Sequence, residues 1–151
     1  MSWARTRVRH RLGRLEGRHP GPATTRVLVV DDDEVIRQLI AVHLRVAGFA
    51  AHLAPDGAAG LEHARCCQPD VVILDAGMPG LDGWAVAARL RADPATASVR
   101  TIVLAPGGGV AAEPRAGLGV EVDAGVDACL AKPFDPAELV ATVRRLARRR
   151  M

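Results

Sequence analysis

Aromatic residues are scarce in this sequence, which contains two Trp, two Phe and no Tyr among 151 residues. The core cannot be built around aromatic rings, and the interleaved basic and aromatic residues of many nucleic-acid-binding surfaces are missing. Hydrophobic residues nevertheless make up 49% of the chain, which excludes disorder throughout. We expect one domain with a core of Val, Leu, Ile and Ala, because this length is too short for two ordinary domains.

Cysteines are few, and their spacing suits neither a disulfide framework nor a zinc site. The chain has three, Cys66, Cys67 and Cys129, so their number is odd, two are adjacent and no C-x-x-C pair occurs. Structural zinc sites need four ligands, which usually come in such pairs. Reduced thiols are the simpler interpretation, and they are typical of cytoplasmic proteins.

Long apolar runs are also absent. No segment approaches the roughly 20 consecutive apolar residues that a membrane-spanning helix requires. The N-terminal segment is rich in Arg but lacks the apolar stretch of a secretory signal. We therefore expect a cytoplasmic protein that makes no contact with a membrane.

Charge is distributed unevenly along the chain. Residues 1–25 contain six Arg and one Glu, residues 144–151 contain five Arg, and residues 26–143 contain nine basic and sixteen acidic residues. We interpret residues 1–25 as a basic, flexible arm and residues 26–151 as the folded domain with an Arg-rich end. The basic ends are either solvated tails or contacts for an acidic partner. Because no recognition motif accompanies them, specific binding to nucleic acid is not expected.

Short apolar runs alternate with helical patterns from residue 26 onward. Five runs have the length and composition of buried strands: Val27–Val30, Phe49–Ala54, Val71–Leu74, Val99–Leu104 and Ala128–Ala131. Four segments have the pattern of helices: residues 34–47, 57–67, 84–91 and 136–149. Residues 105–125 are rich in Gly and give no helix prediction. This alternation predicts an α/β fold with right-handed βαβ units and a parallel sheet.

The first and last helices have recognisable ends. Asp33 and Asp135 are predicted N-caps, because a carboxylate there accepts bonds from the unpaired amides of the first turn. Gly48 is expected to end the first helix. We predict that the buried face of that helix consists of Ile36, Leu39, Ile40, His43 and Ala47.

Charged residues follow three of the predicted strands. Asp31 and Asp32 come after the first strand, Asp75 after the third and Lys132 after the fifth. Ligands of doubly wound sheets bind beyond the carboxyl ends of the strands, at the point where the strand order reverses. In one common order, 2-1-3-4-5, the first and third strands are neighbours, so the three aspartates would converge with Lys132 across the pocket.

Three converging carboxylates need positive charge to offset their repulsion. At about 4 Å, each like-charged pair costs about 4 kcal/mol at an effective dielectric constant of 20. Lys132 supplies one positive charge, and Mg²⁺, a hard cation that prefers oxygen ligands, supplies two. We therefore predict a magnesium site in which Asp75 can attack a phosphoryl group.

The segment from Arg26 to about Arg149 resembles the receiver domains of response regulators. The resemblance rests on three motifs taken together, V-L-V-V-D-D-D, D-V-V-I-L-D-A-G-M-P-G-L-D-G and A-C-L-A-K-P-F. It implies a flavodoxin-like, doubly wound, five-stranded parallel sheet in the order 2-1-3-4-5. It also implies a two-component signalling domain that is not an enzyme and receives its phosphoryl group from a sensor histidine kinase or a histidine phosphotransfer protein. The last motif implies a cis peptide bond before Pro133.

The resemblance assigns roles to individual residues. Asp75 would be the phosphoacceptor and a metal ligand. Asp32 would bind the metal directly and Asp31 through water, and the backbone carbonyl of Gly77 would be a further ligand. Lys132 would contact the phosphoryl oxygens.

Two residues that usually report phosphorylation in receivers are replaced here. Ala105 stands where Ser or Thr is usual at the end of the fourth strand, and Ala has no hydroxyl to donate to a phosphoryl oxygen. Cys129 stands where Tyr or Phe is usual, three residues before Lys132. The pocket is therefore complete, whereas the usual relay to the surface is degenerate.

Three functional hypotheses remain open at this point. The favoured one is a stand-alone receiver that is phosphorylated on Asp75 and acts on a partner protein in trans or through dimerisation. The second is a pseudo-receiver that binds its partner independently of phosphorylation. The third is a small phosphatase with Asp75 as nucleophile, but Gly77 occupies the place where such an enzyme would need a second acid or base.

Overall fold

The computed structural model describes residues 24–107 and 126–150. The predicted flexible arm and the predicted irregular segment fall mainly on residues 1–23 and 108–125, which lie outside the described residues. Within the described residues, none of the helices combines the length and the hydropathy needed to cross a bilayer.

A parallel sheet of five strands forms the core of the fold. The strands are β1 (Arg26–Val30), β2 (Ala50–Ala54), β3 (Val71–Asp75), β4 (Arg100–Pro106) and β5 (Ala128–Lys132). Their order across the sheet is β2-β1-β3-β4-β5, and every neighbouring pair is parallel. The predicted flavodoxin-like order is therefore confirmed.

Helices cover both faces of the sheet, which explains why its strands are continuous apolar runs. Helices α1 (Glu34–Val46) and α4 (Pro136–Arg150) pack on one face, and α2 (Gly57–Cys67) and α3 (Gly83–Ala92) pack on the other. The central strand β3 is buried at all of its residues. The core is made of aliphatic side chains, as the composition requires; the largest fully buried ones include Leu28, Ile40, Leu44, Ile73, Leu74, Leu90, Ile102, Leu104, Leu139 and Leu146.

Each helix in the described part of the chain begins after an aspartate. The carboxylates of these residues accept hydrogen bonds from backbone amides of the first helical turn: Asp33, Asp56, Asp82 and Asp135. Such caps satisfy amides that have no partner within the helix, and their negative charge is favourable at the positive end of the helix dipole. The predicted caps at Asp33 and Asp135 are confirmed.

The buried face of α1 differs from the predicted one. Ile40, Ala41 and Leu44 are buried, whereas Leu39 is 42% exposed and His43 is exposed. The prediction is confirmed for Ile40, and for Ile36 and Ala47, which are partly buried against the same cluster. It was wrong for Leu39 and His43, because α1 carries apolar residues on two sides and periodicity alone does not show which side meets the sheet. The second side, here called the α1 stripe, consists of Val35, Leu39, Val42 and Val46.

Gly83 lets α3 begin directly against the end of β3, one residue earlier than predicted. A Cβ atom at this position would lie 2.5 Å from the backbone oxygen of Asp75 and 3.1 Å from the Cα atom of Ala76. Both atoms belong to the main chain, so an added methyl group would displace either the strand end or the helix.

Replacing Gly83 by Ala should lower the free energy of unfolding by about 1–3 kcal/mol, the usual cost of overpacking. The higher helix propensity of Ala offsets only part of this cost. Urea unfolding measures the change. Gly77→Ala is the matched control, because a Cβ atom there meets nothing within 4 Å, and its effect should stay below about 0.5 kcal/mol. Equal stability of the two variants would contradict the close approach of α3 to β3.

Candidate functional site

The candidate site lies at the carboxyl ends of β1, β3 and β5. Asp31 and Asp32 follow β1, Asp75 ends β3, and Lys132 ends β5. Strands β1 and β3 are neighbours, with Val30 paired to Leu74. The chain therefore places the two acidic strand ends side by side, because residues that follow paired parallel strands emerge at the same edge of the sheet.

Three carboxylates meet at this edge. One oxygen from each of Asp31, Asp32 and Asp75 can be chosen so that all three atoms lie within 4.8 Å of one another. Asp31 and Asp75 are buried, with exposures of 1% and 5%, and Asp32 is exposed. The cluster is thus buried on the side of Asp31 and Asp75 and open to solvent at Asp32, so a ligand can enter it from solvent.

Lys132 supplies positive charge inside the cluster. Its Nζ atom donates to Oδ1 of Asp75 over 2.7 Å, and the side chain of Lys132 is 33% exposed, against 7% for that of Asp75. The backbone amide of Gly77 donates to the same oxygen over 3.2 Å. Asp75 is therefore held by one charged and one neutral donor.

These contacts separate the acidities of the two buried aspartates. Burial raises the pKa of Asp31 to about 6, and the nearby charge of Asp75 adds to this rise, although the amide of Asp33 and the charge of Lys132 oppose it. Burial also acts to raise the pKa of Asp75, but the donors Lys132 and Gly77 outweigh it, so the pKa of Asp75 lies below its ordinary value. Below about pH 6, therefore, Asp31 holds its proton at pH values where Asp75 is already an ionised carboxylate.

One atom of the cluster has no hydrogen-bond partner. Oδ1 of Asp31 accepts a bond of 2.9 Å from the amide of Asp33, whereas Oδ2 of Asp31 is buried and accepts none from the described residues. Leaving a buried carboxylate oxygen unpaired is costly. Such an atom is suited to a cation or to a water molecule held by one, and the all-oxygen donor set is the kind that Mg²⁺ prefers.

The two residues predicted to be degenerate lie on β4 and β5. Ala105 follows Leu104, which pairs with Asp75. Cys129, three residues before Lys132, pairs with Val103. Ala105 on β4 is 2% exposed, and Cys129 on β5 is half-buried, with burial raising the pKa of its thiol. Neither side chain carries a hydroxyl group. The Lys132–Pro133 peptide bond is cis.

The structure also brings to the site a residue that sequence reasoning did not select. Nη1 of Arg37 on α1 donates to the backbone oxygen of Asp31 over 2.7 Å. A signal for it existed, because a basic side chain near the beginning of a helix is unfavourable beside the helix dipole and needs a compensating contact.

Comparisons with known proteins agree with this geometry. Residues 27–144 match the family model described as response regulator receiver domain. Among curated proteins, the chain is 38% identical over 124 residues to the DNA-binding dual master transcriptional regulator RpaA of Synechocystis sp., covering 82% of this chain and 49% of the relative. It is 43% identical over 130 residues to the transcriptional regulatory protein PrrA of Mycobacterium leprae, covering 86% and 53%. The chain spans about half the length of these curated relatives.

Solved structures give the same result. The chemotaxis protein CheY4 of Vibrio cholerae matches with a TM-score of 0.72 at 29% identity, covering 82% of this chain and 99% of that one. The receiver domain of the sensor histidine kinase PA1611 of Pseudomonas aeruginosa PAO1, with a magnesium ion coordinated in its active-site cleft, matches with a TM-score of 0.69 at 29% identity, covering 83% and 98%. The sheet order, the acidic pocket and these matches together lead to one conclusion: the chain belongs to the response regulator receiver domain family.

Proposed function

We propose that the protein accepts a phosphoryl group on Asp75 from a phosphohistidine donor, with Mg²⁺ held by the acidic pocket. The observation that carries this proposal is the contact between the ionised Asp75 and Lys132 within a cluster of three carboxylates. A structural ion pair would not need two further aspartates beside it. The repulsion among the three carboxylates is offset only if the pocket binds further positive charge.

Asp31, Asp32 and Asp75 would hold the metal, together with the backbone carbonyl of Gly77. The buried, unpaired Oδ2 atom of Asp31 is the clearest sign that this donor set is incomplete without a cation or its water. When bound, Mg²⁺ neutralises charge on the transferring phosphoryl group.

The residues of the chain would act on the phosphoryl group in defined ways. A carboxylate oxygen of Asp75 would form a bond to phosphorus while the P–N bond of the phosphohistidine donor breaks. The electron pair of the P–N bond would stay on the imidazole nitrogen of the donor. The low pKa of Asp75 keeps this nucleophile ionised. Lys132 already contacts the reacting carboxylate, so its ammonium group is in place to bind phosphoryl oxygens and to balance the charge of the acyl phosphate.

The donor protein is proposed to be a sensor histidine kinase or a histidine phosphotransfer protein that docks along the α1 stripe. Val35 is 74% exposed, Val42 54% and Val46 83%, and with Leu39 they follow the spacing of a helix-packing seam. The stripe begins at Val35, two residues after the cap Asp33 and three after Asp32 of the acidic cluster, so a helix lying on it would end close to the pocket.

We propose that the phosphorylated domain signals by contact with another protein. Two relatives are transcriptional regulators, one of them DNA-binding by its name, but this chain spans only about half of each. Residues 26–143 carry more acidic than basic residues, which disfavours direct contact of this part with nucleic acid. Action without an attached output domain remains an expectation.

A partner-binding pseudo-receiver is the second candidate. The observation in its favour is that Ala105 on β4 and Cys129 on β5 offer no hydroxyl group or aromatic ring with which to report phosphorylation. Binding of the partner would then be independent of the state of Asp75.

Incubation with acetyl phosphate and Mg²⁺ should add one phosphoryl group to the protein, and intact-mass spectrometry detects it. Asp75→Asn should abolish the addition, because an amide is not a nucleophile of this kind. Asp93→Asn is the matched control, since Asp93 pairs with Arg65 far from the pocket, and it should be labelled like the wild type. Absence of labelling in the wild type, under conditions that label another receiver, would favour the pseudo-receiver.

Without metal, the free energy of unfolding should fall as the pH rises from about 4 to 6. Asp31 has a pKa of about 6 in the folded state and 3.8 as its ordinary value, so the folded state holds an extra proton in this window and loses that advantage as the proton leaves. Because the pKa of Asp75 is lowered, its titration changes the free energy of unfolding in the opposite direction, but only at pH values below its ordinary pKa of 3.8. Urea unfolding in EDTA across this range measures the slope.

Asp31→Asn provides the control for this slope, because an amide does not titrate. The variant should lose most of the decline between pH 4 and 6, whereas Asp93→Asn should keep it. For the same reason, the affinity of the wild type for Mg²⁺ should increase up to about pH 6 and then level off. An unchanged slope in Asp31→Asn would show that another group is responsible.

A further inference from the structure

Arg37 makes an unusual contact at the edge of the acidic pocket. Its guanidinium group lies on α1, half-buried, and Nη1 donates to the backbone oxygen of Asp31 over 2.7 Å. A cation so close to three aspartates would be expected to pair with a carboxylate. Here it binds a main-chain carbonyl instead, at the point where the chain leaves β1 and turns into α1.

This contact completes a set of restraints on Asp31. The amide of Asp31 donates to the backbone oxygen of Ala54 over 3.2 Å, and its Oδ1 atom accepts from the amide of Asp33 over 2.9 Å. With Arg37 on the carbonyl oxygen, the amide, the carbonyl and one carboxylate oxygen of Asp31 are all held. The unpaired Oδ2 atom is the remaining polar atom of the residue.

We propose that Arg37 is a positioning residue for the metal-binding carboxylates. It holds the end of β1 against α1, so that Asp31 and Asp32 keep their places despite the repulsion among the three aspartates. This inference rests on the proposed function, since it assumes that the pocket binds Mg²⁺. Contacts that orient metal ligands from outside typically contribute 10- to 100-fold to metal affinity.

The same helix contains a matched control. Nη2 of Arg45 donates to the backbone oxygen of Ala51 over 2.8 Å, and this contact is also partly buried. Arg37 and Arg45 therefore make the same kind of bond, from one helix to the backbone of a strand or strand end. Only the acceptor of Arg37 belongs to the pocket, because Ala51 lies near the beginning of β2, at the opposite edge of the sheet.

The experiment measures Mg²⁺ affinity of the full chain at pH 7.5. Mn²⁺ is bound first and detected by its electron paramagnetic resonance signal, and Mg²⁺ is then added to displace it. Arg37→Ala should weaken Mg²⁺ binding about tenfold, and Arg37→Lys should recover part of the loss because Lys retains a donor. Arg45→Ala should stay within about twofold of the wild type. Thermal unfolding, followed by circular dichroism, checks that each variant is folded.

Several results would overturn the proposal. An affinity of Arg37→Ala within about twofold of the wild type would remove the positioning role. Equal weakening by Arg37→Ala and Arg45→Ala would make the contact merely structural. If Arg37→Ala does not fold, Arg37→Gln replaces it in the same comparison. Gln retains a hydrogen-bond donor, but its side chain is shorter than that of Arg. A wild type that does not bind either ion would instead refute the metal site, and the inference with it.

Discussion

Charge balance among Asp31, Asp32, Asp75 and Lys132 governs the end of the sheet at which the site lies. Placing three carboxylates within 4.8 Å costs several kcal/mol unless positive charge or a proton offsets it. Lys132 contacts Asp75 and supplies positive charge at neutral pH, whereas a proton on Asp31, whose pKa burial raises to about 6, contributes only at lower pH. The two buried aspartates therefore differ in acidity: the pKa of Asp75 is lowered, whereas burial raises that of Asp31, which holds a proton only below about pH 6. A bound cation would remove the need for that proton.

The surroundings of the pocket show which parts of a receiver this chain keeps. Within the described residues, backbone contacts frame the pocket, among them the close approach of Gly83 to the end of β3 and the bond from Arg37 to the carbonyl of Asp31. The side chains that would pass a signal toward β4 and β5 are reduced to Ala105 and Cys129. The chemistry proposed at Asp75 and the usual means of reporting it therefore involve different residues, and only the first set is retained here. The exposed α1 stripe offers a contact surface on the other side of the pocket.

Much of this architecture could be predicted from local patterns. Apolar runs such as Val71–Leu74 identified the strands because a strand covered on both faces must be apolar throughout. Aspartates before helices identified the caps because their effect acts within one turn. The predictions failed where local pattern is ambiguous. α1 has two apolar sides, so the sequence pattern places Leu39 and His43 on the buried face although they are exposed. α3 begins at Gly83, one residue earlier than predicted, because its close contact with the end of β3 is a tertiary feature that local patterns do not show.

Local patterns in the sequence were sufficient to predict the types of the elements, their order along the chain and the charged residues that follow three strands. Three features depend on packing in the folded chain: the side of α1 that is buried, the aspartate whose pKa is raised and the bond from Arg37 to the carbonyl of Asp31. The physical reason is that desolvation and Coulomb energies depend on distance through space. Lys132 and Asp75 are 57 residues apart in sequence, but Nζ of Lys132 lies 2.7 Å from Oδ1 of Asp75. No local sequence pattern predicts that distance.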